Sequence, residues 1–199
     1  MGNERDRMIT AKRCAWRSHA VARRPPSTRV LSMHMWPPLG SLTTGWAAMR
    51  ELARDSVITC RDDGYEVDMD SDRLDVGLVH HWLSTDAFWA LGRTRETVEQ
   101  SIRASVNFGL YGSGGQQVGY ARVVTDLATF AWLCDVYVEQ AHRGKGLGTW
   151  LAAVVRDHLA PYKLKRVILS TVDAHEVYAK VGFVPFPDPQ KLMILKDAG

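Results

Sequence analysis

The sequence predicts an α/β domain built on a mixed sheet, and three features carry that expectation. First, Val106–Tyr111 and 118–125 are β-prone runs separated by Gly112-Ser113-Gly114-Gly115, the chemistry of a hairpin turn. Second, Phe130–Val138 and 166–170 are strand-like runs joined through a helical stretch, the connection that parallel strands require. Third, glycines alternate at 144, 146 and 148 between the first of these runs and the helix, which reads as strand, tight turn, helix. At 199 residues with a hydrophobic fraction of 46%, the chain has material for one ordinary domain and a tail.

Residues 1–55 look unlike the rest. They hold ten Lys/Arg and four Asp/Glu, so +6 of the charge sits there and −3 in residues 56–199, within a formal net charge of +3. Arg23-Arg24-Pro25-Pro26 and Pro37-Pro38-Leu39-Gly40 break regular structure. The expectation is a flexible basic leader, or codons upstream of a later start at Met33, Met35 or Met49, ahead of a domain spanning 56–199. The leader's composition also matches a transit peptide superficially, and a basic arm suits nucleic acid.

Within the domain, 57–60 or 65–68 supplies a first strand, with Asp62-Asp63-Gly64 as turn. Leu74, Val76, Val79, Trp82 and Leu83 suit a first helix, which Ser84-Thr85 interrupt. A second helix runs over 94–104, with Val98 and Ile102 spaced i, i+4. After the hairpin, Asp126-Leu127-Ala128 turns the chain into the central strand, Phe130–Val138. Trp150, Leu151, Val154, Val155, His158 and Leu159 share the face of the helix that follows. A short strand at 166–170, a helix at 173–180 closed by Gly182, and closing strands at 183–185 and 192–195 complete the expected order β-α-α-β-β-β-α-β-α-β.

The glycine turn carries the chemistry. Successive N–H groups of such a turn, opening a helix at its positive end, form an anion site, and Arg143 and Lys145 add two cations. A Walker A loop requires Ser or Thr after its lysine, and Lys145 is followed by Gly146. A dinucleotide fingerprint requires Gly-x-Gly-x-x-Gly, and the spacing here is Gly144-x-Gly146-x-Gly148. What remains is a pyrophosphate cradle of another kind, or a glycine turn with solvated basic residues.

The run Arg143-x-x-Gly146-x-Gly148 after a strand ending in Val138 closely resembles the acyl-CoA signature of the GNAT superfamily of N-acetyltransferases. A second segment, Thr171-Val172-Asp173-Ala174-His175-Glu176-Val177-Tyr178-Ala179-Lys180-Val181-Gly182-Phe183, is similar to that family's Asn-x-x-Ala-x-x-x-Tyr-x-x-x-Gly-Phe stretch, with Thr171 in place of asparagine. The likeness spans roughly residues 64–199. Phe88-Trp89-Ala90-Leu91-Gly92-Arg93, Gly119 to Asp126 and Leu133 to Val138 resemble an uncharacterised bacterial subgroup.

The resemblance implies acetyl or short-acyl transfer from acetyl-CoA to an amine, by direct attack in a ternary complex. It implies that Val136 and Val138 contact the pantetheine arm through their main chain. It places the pyrophosphate on Arg143, Gly144, Lys145, Gly146, Leu147, Gly148 and Thr149, and a further cofactor contact at Thr171. Tyr178 falls on the family's frequent general acid. Asp135 is the first choice of base; it could equally anchor a cationic amine or be structural. Asp126, Asp173 and His175 stay open for the same role. Trp82, Phe88 and Trp89 could wall an acceptor pocket or belong to the core.

Cys14, Cys60 and Cys134 are odd in number and far apart, so neither a disulfide framework nor a zinc site is expected, and adjacent His80 and His81 do not make a metal pair. No apolar run reaches the length of a membrane span. The expectations are therefore no metal, no membrane and a cytoplasmic location. The acceptor is a small-molecule or protein amine, and the protein a monomer or homodimer. Two rival readings stand: a catalytically inactive CoA-binding sensor or scaffold, and a nucleic-acid-binding protein working through the leader.

Overall fold

Residues 58–195 are described by a computed structural model; the expectations for the leader, 1–55, lie outside them. Both candidate first strands form, as a small antiparallel pair, β1 (Thr59–Cys60) and β2 (Glu66–Asp68). Asp75 then caps α1 (Val76–His81), its Oδ1 accepting the Leu78 N–H at 2.9 Å. The expected break at Ser84-Thr85 takes a different form. The helix widens into one π turn, Trp82–Asp86, closed by the Ala87 N–H donating to the Trp82 carbonyl. Thr85 Oγ1 donates back to the His81 carbonyl at 2.7 Å, a bond that competes with the helical ladder. Helix α2 (Arg95–Arg103) follows, with Thr94 as its cap.

The sheet continues with β3 (Val106–Tyr111), β4 (Gln117–Thr125) and β5 (Phe130–Val138). Helix α3 (Leu147–Leu159) crosses over to β6 (Arg166–Ile168), and α4 (His175–Ala179) comes last. Strand order is β1-β2-β3-β4-β5-β6, antiparallel except for the parallel pair β5–β6. One expectation fails. Residues 183–185 and 192–195 are not strands, and Val184, Met193, Ile194 and Leu195 are exposed. Pro185, Pro187 and Pro189 punctuate the segment, and each removes a ladder donor.

Two cores lie on opposite faces of the sheet. On one, Leu147, Leu151, Val155 and Leu159 of α3 pack on Val67, Phe108, Leu110 and Leu133. On the other, Val79, Trp82, Leu83, Val98 and Ile102 of the first two helices cover Tyr120 and Tyr137. A bulge shifts the phase of strand β5. Tyr120 pairs with Tyr137 and Arg122 with Cys134, so Asp135 and Val136 together oppose Ala121. Asp135 takes φ 49°, in the left-handed region. The alternation therefore slips. Ala131, Leu133, Val136 and Val138 all belong to the α3 face, whereas Tyr137 belongs to the other.

Candidate active site

The site begins where the sheet comes apart. β5 and β6 pair only through Phe130–Arg166, Ala131–Val167 and Trp132–Ile168. β5 then runs on to Val138 while β6 stops, which leaves a gap beside residues 133–138. The Glu139 N–H is spent on the Val118 carbonyl across β4 (2.8 Å). Backbone groups alternate along a strand, so those of Val138 and Val136 point the other way, toward the gap. Arg143 agrees with this: its Nε donates to the Val138 carbonyl at 2.8 Å.

The glycine turn lies at the end of β5. Gly144 and Gly146 take φ 78° and 72°, and a Cβ on either would meet nothing within 4 Å, so the turn faces open space. Gly146 caps α3 without a side chain, and no acidic residue occupies the first turn. The first N–H with a helical partner is that of Trp150, which donates to the Gly146 carbonyl (3.0 Å). The N–H groups of Leu147, Gly148 and Thr149 precede it and have no carbonyl a turn behind them. The turn therefore presents backbone donors and open space at the positive end of α3, the geometry an anion site requires.

The two cations of the cradle differ. Arg143 is exposed, with its guanidinium 5.4 Å from the centre of the Tyr137 ring. Lys145 turns back, its Nζ donating to the Tyr65 hydroxyl at 3.0 Å. That hydroxyl also lies 2.8 Å from His142 Nδ1, and Arg61 donates to the Lys145 carbonyl at 3.1 Å. The β1–β2 hairpin thus latches the turn. Arg61 and Tyr65 were not legible as site residues, since nothing local in the sequence links them to residue 145.

The second motif comes to the same place. A Cβ on Gly148 would lie 4.0 Å from Val177 Cγ1, so α4 packs beside the start of α3. Tyr178, Thr171, Asp173 and Ala174 line a cavity of about 330 Å³ that reaches residues 133–136 beside the gap. Burial, with a smaller push from the charge of Asp173, raises the Tyr178 phenol above its ordinary pKa, so it holds its proton at neutral pH. The Thr171 hydroxyl accepts the Ala174 N–H at 3.1 Å and retains its own proton to donate.

The same cavity is lined by Phe88, Trp89, Arg93, Arg122, Trp132 and Asp135. Asp135 is buried, and one oxygen, Oδ2, accepts from both Arg93 Nη1 (2.7 Å) and Arg122 Nε (2.6 Å). Burial alone would raise its pKa, but the two guanidiniums more than offset this and hold the carboxyl below its ordinary value. A carboxylate so held is a poor proton acceptor. An arginine in a mainly apolar strand, Arg122 is by sequence equally a partner for a carboxylate or for an anionic substrate, and the structure pairs it with Asp135; Arg93, which follows a turn at Leu91-Gly92, carries no such signal. Of the other base candidates, Asp126 is tied up in the β4–β5 turn by Thr129 and its neighbours, which lowers its pKa, and His175 is exposed on α4. Cys134, half-buried, has its thiol pushed up by burial. Phe88 and Trp89 are exposed ring surface, while Trp82 is core.

Among the described residues no group of three or more His, Cys, Asp or Glu is placed to hold a metal, and no helix is long and apolar enough to cross a membrane.

Residues 77–183 match the model of the acetyltransferase (GNAT) family. A Gibberella zeae protein named only as a candidate acetyltransferase is 32% identical over 135 residues, 58% of this chain and 76% of its own length. The crystal structure of a candidate GNAT acetyltransferase from Xanthomonas campestris pv. campestris superposes with a TM-score of 0.62 at 42% identity, covering 66% of this chain and 92% of that one. A Deinococcus radiodurans structure, also described as a candidate acetyltransferase, shares the fold with a TM-score of 0.53 at 20% identity, over 71% and 94% of the two chains.

Proposed function

The chain belongs to the GNAT acetyltransferase family, and from that premise we propose that it moves an acetyl group from acetyl-CoA to an amine by direct attack, with both substrates bound together. The observation that carries this reading is the splay of β5 from β6 with the glycine cradle at the end of β5. The residues fit such a co-substrate. The N–H groups of Leu147, Gly148 and Thr149, with Arg143, offer an anion site of the charge a pyrophosphate needs. The gap-facing groups of Val136 and Val138 offer the strand pairing that an amide-bearing arm can complete.

The chemistry requires a neutral amine, a stabilised oxyanion and a protonated leaving thiolate. The bond between sulfur and acyl carbon breaks as the bond from nitrogen to that carbon forms. A backbone N–H on β5 beside the bulge serves as the oxyanion donor, a contribution of about 10²–10³ in rate. Tyr178, protonated at neutral pH as a phenol is, gives its proton to the departing thiolate. Asp135 works through its arginines as a positioning residue and not as the base. The amine's proton leaves through solvent in the gap.

Thiol release from acetyl-CoA in the presence of an amine panel tests the reading. Wild type releases CoA only when an acceptor amine is present. Tyr178→Phe lowers kcat by about 10²-fold or more while the affinity for acetyl-CoA stays within a few-fold. Unchanged kcat in Tyr178→Phe would remove the acid role.

A further inference from the structure

Resting on the acetyl-transfer reading, we propose that the acceptor amine carries a carboxylate and an aromatic body, as an aromatic amino acid does, and that it enters the gap from the face opposite α3.

The cradle and α3 occupy one face of the sheet, together with Val136 and Val138. A co-substrate running from the cradle into the gap fills that side. The acceptor must then approach the bulge from the other face, where the cavity wall is Arg93, Arg122, Asp135, Phe88, Trp89 and Trp132.

The charge of this wall is not balanced. Two guanidiniums share one carboxylate oxygen, so the wall carries a net +1. The other carboxylate that lines the cavity, Asp173, is exposed, just before α4. Arg93 spends one of its five N–H groups on Asp135, and its side chain remains 20% exposed. Its remaining donors form a fork that suits a carboxylate. The apolar part of the wall is equally specific. Phe88 and Trp89 meet edge to face at 5.0 Å between centroids, and they and Trp132 are 53%, 46% and 40% exposed. Three large rings left open on one cavity are a surface for a flat apolar body. A second cation on the acceptor would face the +1 wall and be disfavoured. The larger hollow beside Tyr137, which carries Asp86 and Glu139, is where a polyamine would be drawn instead.

The test uses the full chain and matched pairs that differ by the carboxylate alone: phenylalanine against phenethylamine, and tryptophan against tryptamine, with lysine and spermidine as cationic controls. Acetyl-CoA binding is measured separately by calorimetry. The expected kcat/KM is about ten- to a hundred-fold higher for each aromatic amino acid than for its decarboxylated partner. Arg93→Met erases that ratio by raising KM for the amino acid alone, whereas a merely structural role for Arg93 lowers both members alike. Trp89→Ala, at an exposed position outside both cores, raises KM for both aromatic members and leaves acetyl-CoA affinity unchanged. Preference for the decarboxylated amines or for spermidine overturns the inference, as does acetylation of no panel member by a protein that still binds acetyl-CoA. In each of these cases the acetyl-transfer reading survives. Failure to bind acetyl-CoA removes both.

Discussion

Replacing Asp135 by asparagine separates a structural carboxylate from a catalytic base. The side chain keeps its shape, and asparagine tolerates the φ of 49° at the bulge, so backbone strain is nearly constant. What changes is charge. Two hydrogen bonds between a guanidinium and a carboxylate keep their charged donors, Arg93 and Arg122, but lose the charged acceptor, and each is weaker by about 1 kcal/mol. The two guanidiniums, with side chains only 20% and 14% exposed, then face one another without a counterion. The sum is a loss of about 2–4 kcal/mol of folding stability at neutral pH, short of the full cost of a broken buried pair because the asparagine still accepts. Urea unfolding measures it directly. The pH dependence supplies a second check. The folded-state pKa of Asp135 lies below its unfolded value of about 3.9, so its contribution is complete above that pH and is lost as pH falls through the folded value. The gap between wild type and variant must therefore close in strong acid. Asp135→Ala costs more than Asp135→Asn, since alanine adds the φ penalty of about 1–2 kcal/mol. An asparagine variant as stable as wild type at pH 7 but slowed a hundred-fold in turnover would refute the reasoning and restore Asp135 as the base.

Two further outcomes follow from the fold. Leu151 is fully buried between α3 and the sheet, so Leu151→Ala lowers the unfolding free energy by about 2–5 kcal/mol in urea titration; a loss under 1 kcal/mol would mean that α3 does not pack as described. His158 is half-buried against Phe108 (5.6 Å between centroids), and burial lowers its pKa. The unfolded chain therefore binds that proton first. Stability is complete above about pH 6.5 and falls as pH drops from there toward the folded value. His158→Gln flattens that segment of the pH–stability curve, and an unaltered slope contradicts the assignment.

How much of this was written in the sequence depends on how local each signal is. The central strand and its glycine turn were legible because strand, breaker and helix period sit next to one another, and β5 falls on Phe130–Val138 as expected. Helix α3 starts three residues earlier than its apolar face suggested, since Leu147 enters the core and Gly146 is the cap. The bulge was not legible. Period-2 alternation puts Asp135 on the same face as Leu133, and only the register with β4 shows that the phase slips between them. The closing strands were misread because β-prone residues at 192–195 fit the pattern of a strand, while strand formation needs a partner edge that the prolines before them deny. Arg93 and Arg61 escaped notice for a related reason. Their partners, Asp135 and Lys145, are 42 and 84 residues away, and a lone arginine on a turn reads as solvated. Tyr178 and Thr171 were placed by motif spacing, and the packing of α4 on the start of α3 brings them to the cavity.

The central claim is that the turn from Arg143 to Thr149 holds the pyrophosphate of acetyl-CoA. The most direct measurement is calorimetric titration of acetyl-CoA into the full chain, beside a Gly146→Glu variant. That change brings a carboxylate to the positive end of α3 and a side chain to a position with φ 72°. Wild type binds in the micromolar range, and a variant whose circular dichroism shows it folded loses at least a hundred-fold in affinity. Equal affinity in the two proteins, or no binding by folded wild type, would contradict the central claim.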